Sequence, residues 1–195
     1  MADTTRFSLI ERARSSPKDE AWQRIVEMYE PFIGGYLHRR GVRNSDIDDI
    51  RQDVMEILLR ELPKFEYNQR KGAFRAWLRN VIANRLRSFW RAPAQRQQAV
   101  GGSVYMQLAQ EFADPNSDAS QAWDREHNQH VIASLMETVA ARFNEKTMEA
   151  FRQTFLKERP FDEVAQELDL SVNAVVLARS RVLRALREYG EGMID

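Results

Sequence analysis

Apolar residues recur along this chain at spacings of three and four rather than two, and the positions they mark divide it into a series of helices. Trp22, Ile25, Val26, Tyr29, Phe32 and Ile33 predict a helix over 20–40, ended by Gly41 and preceded by a shorter helical block over 6–14. A third helix is expected from Ser45, whose hydroxyl can cap free backbone donors, with Asp46, Asp48 and Asp49 set against the positive helix end. It runs to Leu62, before Pro63. Phe74, Trp77, Leu78, Val81, Ile82, Leu86 and Phe89 share one side of a fourth helix, which follows Gly72 and ends near Arg91, before Ala92-Pro93. Trp77 is expected in the core. Four such stripes can bury a small core of their own, giving a four-helix domain over 1–93.

From 94 to 121 the periodicity fades into Gln, Gly, Asp, Asn and Ser, and this stretch reads as a linker interrupted by a short helix around Val104 to Phe112. Apolar positions resume from Trp123, with Val131, Leu135, Val139, Met148, Phe151, Phe155 and Leu156, and mark a second domain over 122–195. Two shorter helices close it. One carries Phe161, Val164, Ala165 and Leu168, the other Val172, Val175, Val176, Val182, Leu183 and Leu186, with Asp169-Leu170-Ser171 between them. No alternating run bounded by hairpin turns occurs, so the expected fold is all-α: two small helical domains joined by a linker.

Composition narrows the function classes. Lys and Arg number 29 against 29 Asp and Glu, and this zero net charge excludes a uniformly basic coat protein. With 43% hydrophobic and 30% charged residues the chain belongs with soluble globular proteins. The absence of Cys removes disulfides, thiolate zinc sites, iron–sulfur clusters and cysteine nucleophiles, and fits a reducing cytosol. Residues 1–17 lack the apolar core of a secretion signal, and the longest apolar run, Ala174 to Ala178, is far too short to span a membrane. No glycine-rich phosphate loop, nucleophile elbow or dinucleotide fingerprint appears, so neither an enzyme nor a cofactor is expected. Glu126, His127 and His130 lie within one helical turn but lack the ligand count of a structural zinc site, and the expectation is exposed histidines.

Three polar constellations carry candidate chemistry. Asp49, Gln52, Asp53 and Glu56 recur at i, i+3, i+4 and i+7 opposite Ile47, Ile50, Val54, Ile57 and Leu58, which makes either a solvated face or a docking face for a basic partner. From Arg70 to Arg96 there are eight basic residues and no acid. There Asn80, Asn84, Arg87 and Arg91 fall within about one 60° sector of a helix, where guanidinium groups can hold phosphates while amides and aromatics address bases that have left the stack. A basic solvated face is the plainer alternative. Pro160 and Asp162 open the penultimate helix, and Ser171 can cap the last, giving a helix-turn-helix with Arg179, Arg181, Arg184 and Arg187 along its second member. An αα-hairpin built only for packing is the alternative there.

Asp49-Ile50-Arg51-Gln52-Asp53-Val54, then Phe74-Arg75-Ala76-Trp77-Leu78 with Asn84, and finally Phe161-Asp162-Glu163-Val164-Ala165 through Leu170-Ser171-Val172 resemble, in order and spacing, the extracytoplasmic-function (ECF) group of bacterial sigma-70-type sigma factors. The resemblance spans about Leu9 to Glu188. It implies a cytoplasmic promoter-recognition subunit with core RNA polymerase and promoter DNA as partners, and an anti-sigma protein or other regulator as a further one. Asp49, Gln52, Asp53 and Glu56 would meet the polymerase. Asn80, Asn84, Arg87, Ser88 and Arg91 would hold the minus-ten element, Asn84 standing at a family position that handles an extruded base. Ser171, Asn173, Arg179 and Arg181 would contact the minus-thirty-five element. The sequence departs from the family at Val176, Leu177 and Ala178, where polar side chains are often found, so apolar contact or packing replaces polar reach. Two readings without polymerase remain: a stand-alone repressor binding operator DNA as a dimer, and an all-α adaptor with no DNA role.

Overall fold

The computed structural model describes residues 8–15, 20–65, 73–91 and 102–193, the side chains of residues 90, 102 and 103 excepted. The fold is all-α, and no strand occurs among the described residues. In chain order the helices are α1 (Leu9–Ser15), α2 (Glu20–Arg39), α3 (Asn44–Glu61, followed by a 3-10 turn, Leu62–Lys64) and α4 (Ala73–Arg91). After them come α5 (Gly102–Ala113), α6 (Asp118–Ala140), α7 (Glu145–Phe151, running into a π turn at Arg152–Leu156), α8 (Phe161–Glu167) and α9 (Val172–Gly190). No helix among the described residues is long and apolar enough to cross a membrane. The chain divides into two compact units, and the division falls inside α6, between Val131 and Ile132.

In the first unit α2 supplies the central apolar face, with Ile25, Tyr29, Phe32, Ile33, Tyr36 and Leu37 buried. It ends as the chain predicts. Gly41 takes φ +81°, a left-handed conformation that costs a Cβ-bearing residue about 1–2 kcal/mol. This lets the Val42 N–H reach back to the Leu37 carbonyl at 3.1 Å and close the helix. The start of α3 differs from expectation. The helix opens at Asn44 with Arg43 as its cap residue, and the Ser45 hydroxyl donates to Asp46 Oδ1 at 2.9 Å instead of capping. Trp77 also differs: it is half-buried, lying against Phe65 and Phe74 with ring centroids 5.0 and 5.6 Å away, while Phe74 takes the fully buried place.

The described part of the expected linker, residues 102–121, belongs to the first unit. Tyr105, Leu108, Ala109 and Phe112 form a buried stripe at i, i+3, i+4 and i+7, and α5 packs it along α4. The surrounding Gln and Gly residues dilute that stripe in the sequence. Beyond it, Trp123 of α6 is completely buried, with Phe32 and Tyr36 each 4.9 Å and Phe112 5.6 Å from its ring centroid.

The histidines expected to be exposed are part of this core. His127 is 0% exposed and shares a 2.9 Å hydrogen bond with the Tyr29 hydroxyl. His130 stacks on Phe32 at 4.9 Å and donates from Nε2 to the Met28 carbonyl at 2.7 Å. Their ring nitrogens join α6 to α2, and among the described residues no cluster of His, Asp or Glu could hold a metal ion.

The second unit, residues 132–191, is built on two small cores. Val139, Met148, Phe151, Val182 and Ala185 form one, joining the end of α6 to α7 and α9. Ala150, Val164, Ala165, Val175 and Ala178 form the other, joining α7, α8 and α9. Helices α7 and α9 start on side-chain caps, Asn144 Oδ1 accepting from Thr147 N at 2.8 Å and Ser171 Oγ from Ala174 N at 3.1 Å. Between α8 and α9, Asp169 takes φ +52°, and the Leu170 N–H bonds the Ala165 carbonyl at 2.9 Å. That tight turn sets α8 and α9 as a helix-turn-helix.

Candidate nucleic-acid interface

The acidic stripe of α3 is solvent-facing because Ile47, Ile50, Val54 and Leu58 bury the opposite side. Asp49, Gln52 and Glu56 are exposed, and Gln52 Nε2 donates to Glu56 Oε1 at 3.2 Å. Asp53 is different. It sits half-buried at the edge of the stripe and forms an ion pair and hydrogen bond with Arg85 of α4, so one of the four candidate residues also ties α3 to α4.

The basic stretch separates into two populations on α4. Arg75 and Arg79 point inward and share one carboxylate, Asp124 of α6, at 3.0 and 3.1 Å, and Arg75 also donates to Asn128 Oδ1 at 2.8 Å. With Arg85 held by Asp53, three of the eight arginines and lysines serve the fold. Arg70, Lys71 and Arg96 lie outside the described residues. The outward face keeps Asn80, Asn84, Ser88 and Arg91, all exposed. Arg87 is the fixed point of that face. Its Nη2 donates to the Ala109 carbonyl of α5 at 2.7 Å and its Nη1 to Asn84 Oδ1 at 2.9 Å. That bond uses one lone pair of the Asn84 oxygen, and the exposed amide keeps its two N–H donors for a further acceptor. The geometry therefore offers a fixed polar group for an unstacked base beside an exposed guanidinium, Arg91, suited to phosphate.

A polar lock that the sequence did not mark holds α5 in place behind this face. Asp46 is only 5% exposed. It accepts from the Tyr105 hydroxyl at 2.5 Å and from Arg43 at 2.8 and 2.9 Å, and the Arg43 backbone N–H donates to the Tyr105 oxygen at 3.3 Å. Burial pulls the Asp46 carboxyl upward, but hydrogen bonds from Tyr105, Arg43 and Ser45, with the charge of Arg43, outweigh it and hold the group below the usual carboxylate range. Burial and the Asp46 hydrogen bond push the Tyr105 phenol up. Read from sequence, Asp46 is one of several acids at a helix start, and Tyr105 stands 59 positions away in a Gln-rich stretch; only the fold joins them.

In the second unit the helix-turn-helix sorts the α9 candidates by direction. Asn173 and Arg181 are exposed, as are Arg184 and Arg187. Ser171 is exposed and spends one oxygen lone pair on the cap, keeping its hydroxyl proton for another acceptor. Arg179 turns the other way. It is half-buried with its guanidinium 5.6 Å from the Phe155 ring and 5.4 Å from the Phe161 ring, a stacking that steadies the entry to α8. Ala178 is buried in the α8–α9 core, whereas Val176 and Leu177 are exposed.

No curated protein and no solved structure matches this chain. Residues 25–97 match a family, Sigma-70 region 2. That span covers the acidic stripe of α3 and the amide and arginine face of α4, so both surfaces lie within the stretch that is similar to Sigma-70 region 2.

Proposed function

We propose that the chain is an ECF-type sigma factor, which binds core RNA polymerase, directs it to promoters and helps to open them. The observation that carries this reading is the Sigma-70 region 2 match over residues 25–97, which coincides with the two surfaces the reading requires. Asp49, Gln52 and Glu56 present an exposed acidic row to a basic polymerase surface, with Asp53 contributing at its edge. Charge complementarity of this kind mainly sets association rate and register. On α4, Asn84 receives a base extruded from the minus-ten element, oriented by Arg87, while Asn80, Ser88 and Arg91 hold the adjoining strand. Extrusion costs a few kcal/mol, which stacking and hydrogen bonds in the receiving site can offset. Residues 132–191 act as the minus-thirty-five reader. Their α9 enters the major groove, as the second helix of such a motif does, with Ser171, Asn173 and Arg181 toward DNA and Arg179 bracing the helix from behind.

The test is reconstitution with core polymerase. Asp49→Lys combined with Glu56→Lys reverses the acidic row while leaving the Asp53–Arg85 pair intact, and is expected to weaken polymerase capture at least tenfold with an unchanged helical circular dichroism spectrum. Asn84→Ala is expected to lower permanganate reactivity of the opened region more than it lowers initial duplex capture. A parent protein that ignores core polymerase and occupies a palindromic operator by itself overturns the reading.

A further inference from the structure

The recognition helix α9 carries a feature that packing does not explain. Val175, Ala178, Val182 and Ala185 fill the two cores, yet Val172, Val176 and Leu177 remain 48%, 43% and 44% exposed at the start of the same helix. At 100° per residue, Asn173, Val176, Leu177, Ser180 and Arg184 occupy about 100° of arc, opposite the buried side. The outward sector is thus a mixed strip: one amide and two branched apolar side chains near the N-terminal end, then a hydroxyl and a guanidinium.

We propose that this strip reads an A·T-rich block in the major groove, with Val176 and Leu177 seated on thymine C5-methyl groups and Asn173 bonded to adenine. The inference rests on the minus-thirty-five reading above and deepens it. Thymine alone among the four bases offers a methyl group in the major groove, and the adenine paired with it offers N7 and N6, the acceptor and donor that an Asn amide matches two-for-two. A single A·T pair therefore presents both surfaces that the strip supplies side by side. The occupant is nucleic acid because the apolar positions are hemmed by Asn173 and Ser180 and followed by Arg181, Arg184 and Arg187, all exposed, with no acid on the helix before Glu188. Three cations in that arrangement suit phosphates flanking a groove. Guanine readout uses Arg or Lys on O6 and N7, whereas the first turns of this strip carry Asn173, Val176 and Leu177, and its one cation, Arg184, follows two turns later.

The experiment uses the full chain assembled with core polymerase and a library of duplexes randomised upstream of the start site. Sequencing the bound pool gives the preferred upstream block, and each thymidine in it is then replaced by deoxyuridine, which removes the methyl group and keeps every hydrogen-bonding atom. Capture is expected to fall about fourfold for each contacted methyl removed, the equivalent of one apolar carbon returned to water. Val176→Ser combined with Leu177→Ser, both exposed positions, is expected to bind thymidine and deoxyuridine duplexes equally. An enriched upstream block that is indifferent to deoxyuridine overturns the proposal while leaving promoter reading in place, and assigns the apolar strip to a protein partner. A pool with no upstream preference overturns both.

Discussion

Asp46 shows how far a single carboxylate can be removed from the role its sequence position suggests. Beside Asp48 and Asp49 at the head of α3 it looks like a dipole partner, but its side chain turns inward to Tyr105 and Arg43. Nothing in a helical period announces such a turn, since it depends on a hydroxyl supplied from α5. The consequence is a pH-dependent contribution to stability. A carboxyl whose folded pKa lies below its unfolded value stabilises the fold above the ordinary carboxylate range, and that stabilisation is lost as the pH falls through the folded pKa. Asp46→Asn is expected to lose about 1–3 kcal/mol at about pH 7, with the gap to the parent closing as the solution is acidified below the unfolded value of about 3.9. Urea melts across that range check it; a gap independent of pH means that the charge of Asp46 is not what the lock uses. Tyr105→Phe, which removes one donor and keeps the ring, is expected to cost about 1 kcal/mol.

Helix α4 illustrates why a run of like charges read along the chain overstates a basic surface. The period of α4 sends Arg75 and Arg79 to one side and Asn84, Ser88 and Arg91 to another. The one acid shared by the first pair, Asp124, comes from α6, and the acid for Arg85, Asp53, comes from α3, both far away in sequence. The helix and its amide face were legible from spacing alone; the fates of Arg75, Arg79, Arg85 and Arg87 were not, because they depend on partners 22 to 53 residues distant. Two substitutions separate the populations. Arg79→Gln leaves part of a buried network without a partner and is expected to destabilise the first unit by about 1–3 kcal/mol. Arg91→Gln is expected to leave stability within about 0.5 kcal/mol and instead weaken promoter capture, more at low salt than at high. Thermal melts paired with filter binding distinguish them, and equal destabilisation by both variants contradicts the assignment. The same lesson applies to α9, where period alone could not tell that Arg179 stacks on Phe155 and Phe161 while Arg181 faces water.

The all-α class and the terminal helix-turn-helix were legible because apolar period and turn chemistry are local. The extent of the first unit was not, because its last contributions come from segments whose apolar residues are sparse. Phe112 on α5 and Trp123 and His127 on α6 complete the aromatic core begun by Tyr29, Phe32 and Tyr36 on α2. The Tyr36 hydroxyl donates to the Ala119 carbonyl at 2.9 Å, and burial, ahead of the nearby charges, pushes that phenol up to about 12. A fragment cut at residue 93, where the fourth helix closes in sequence, therefore exposes ring faces that the intact chain keeps dry. Losing a buried aromatic costs about 3–5 kcal/mol, and loss of Phe112 and Trp123 together is comparable to the whole stability of a small domain, about 5–15 kcal/mol. A fragment of residues 1–131 is accordingly expected to unfold in one cooperative transition in urea, whereas residues 1–93 melt broadly and bind a hydrophobic dye. A sharp transition in the shorter fragment at the midpoint of the longer one shows that α5 and α6 add nothing to this core.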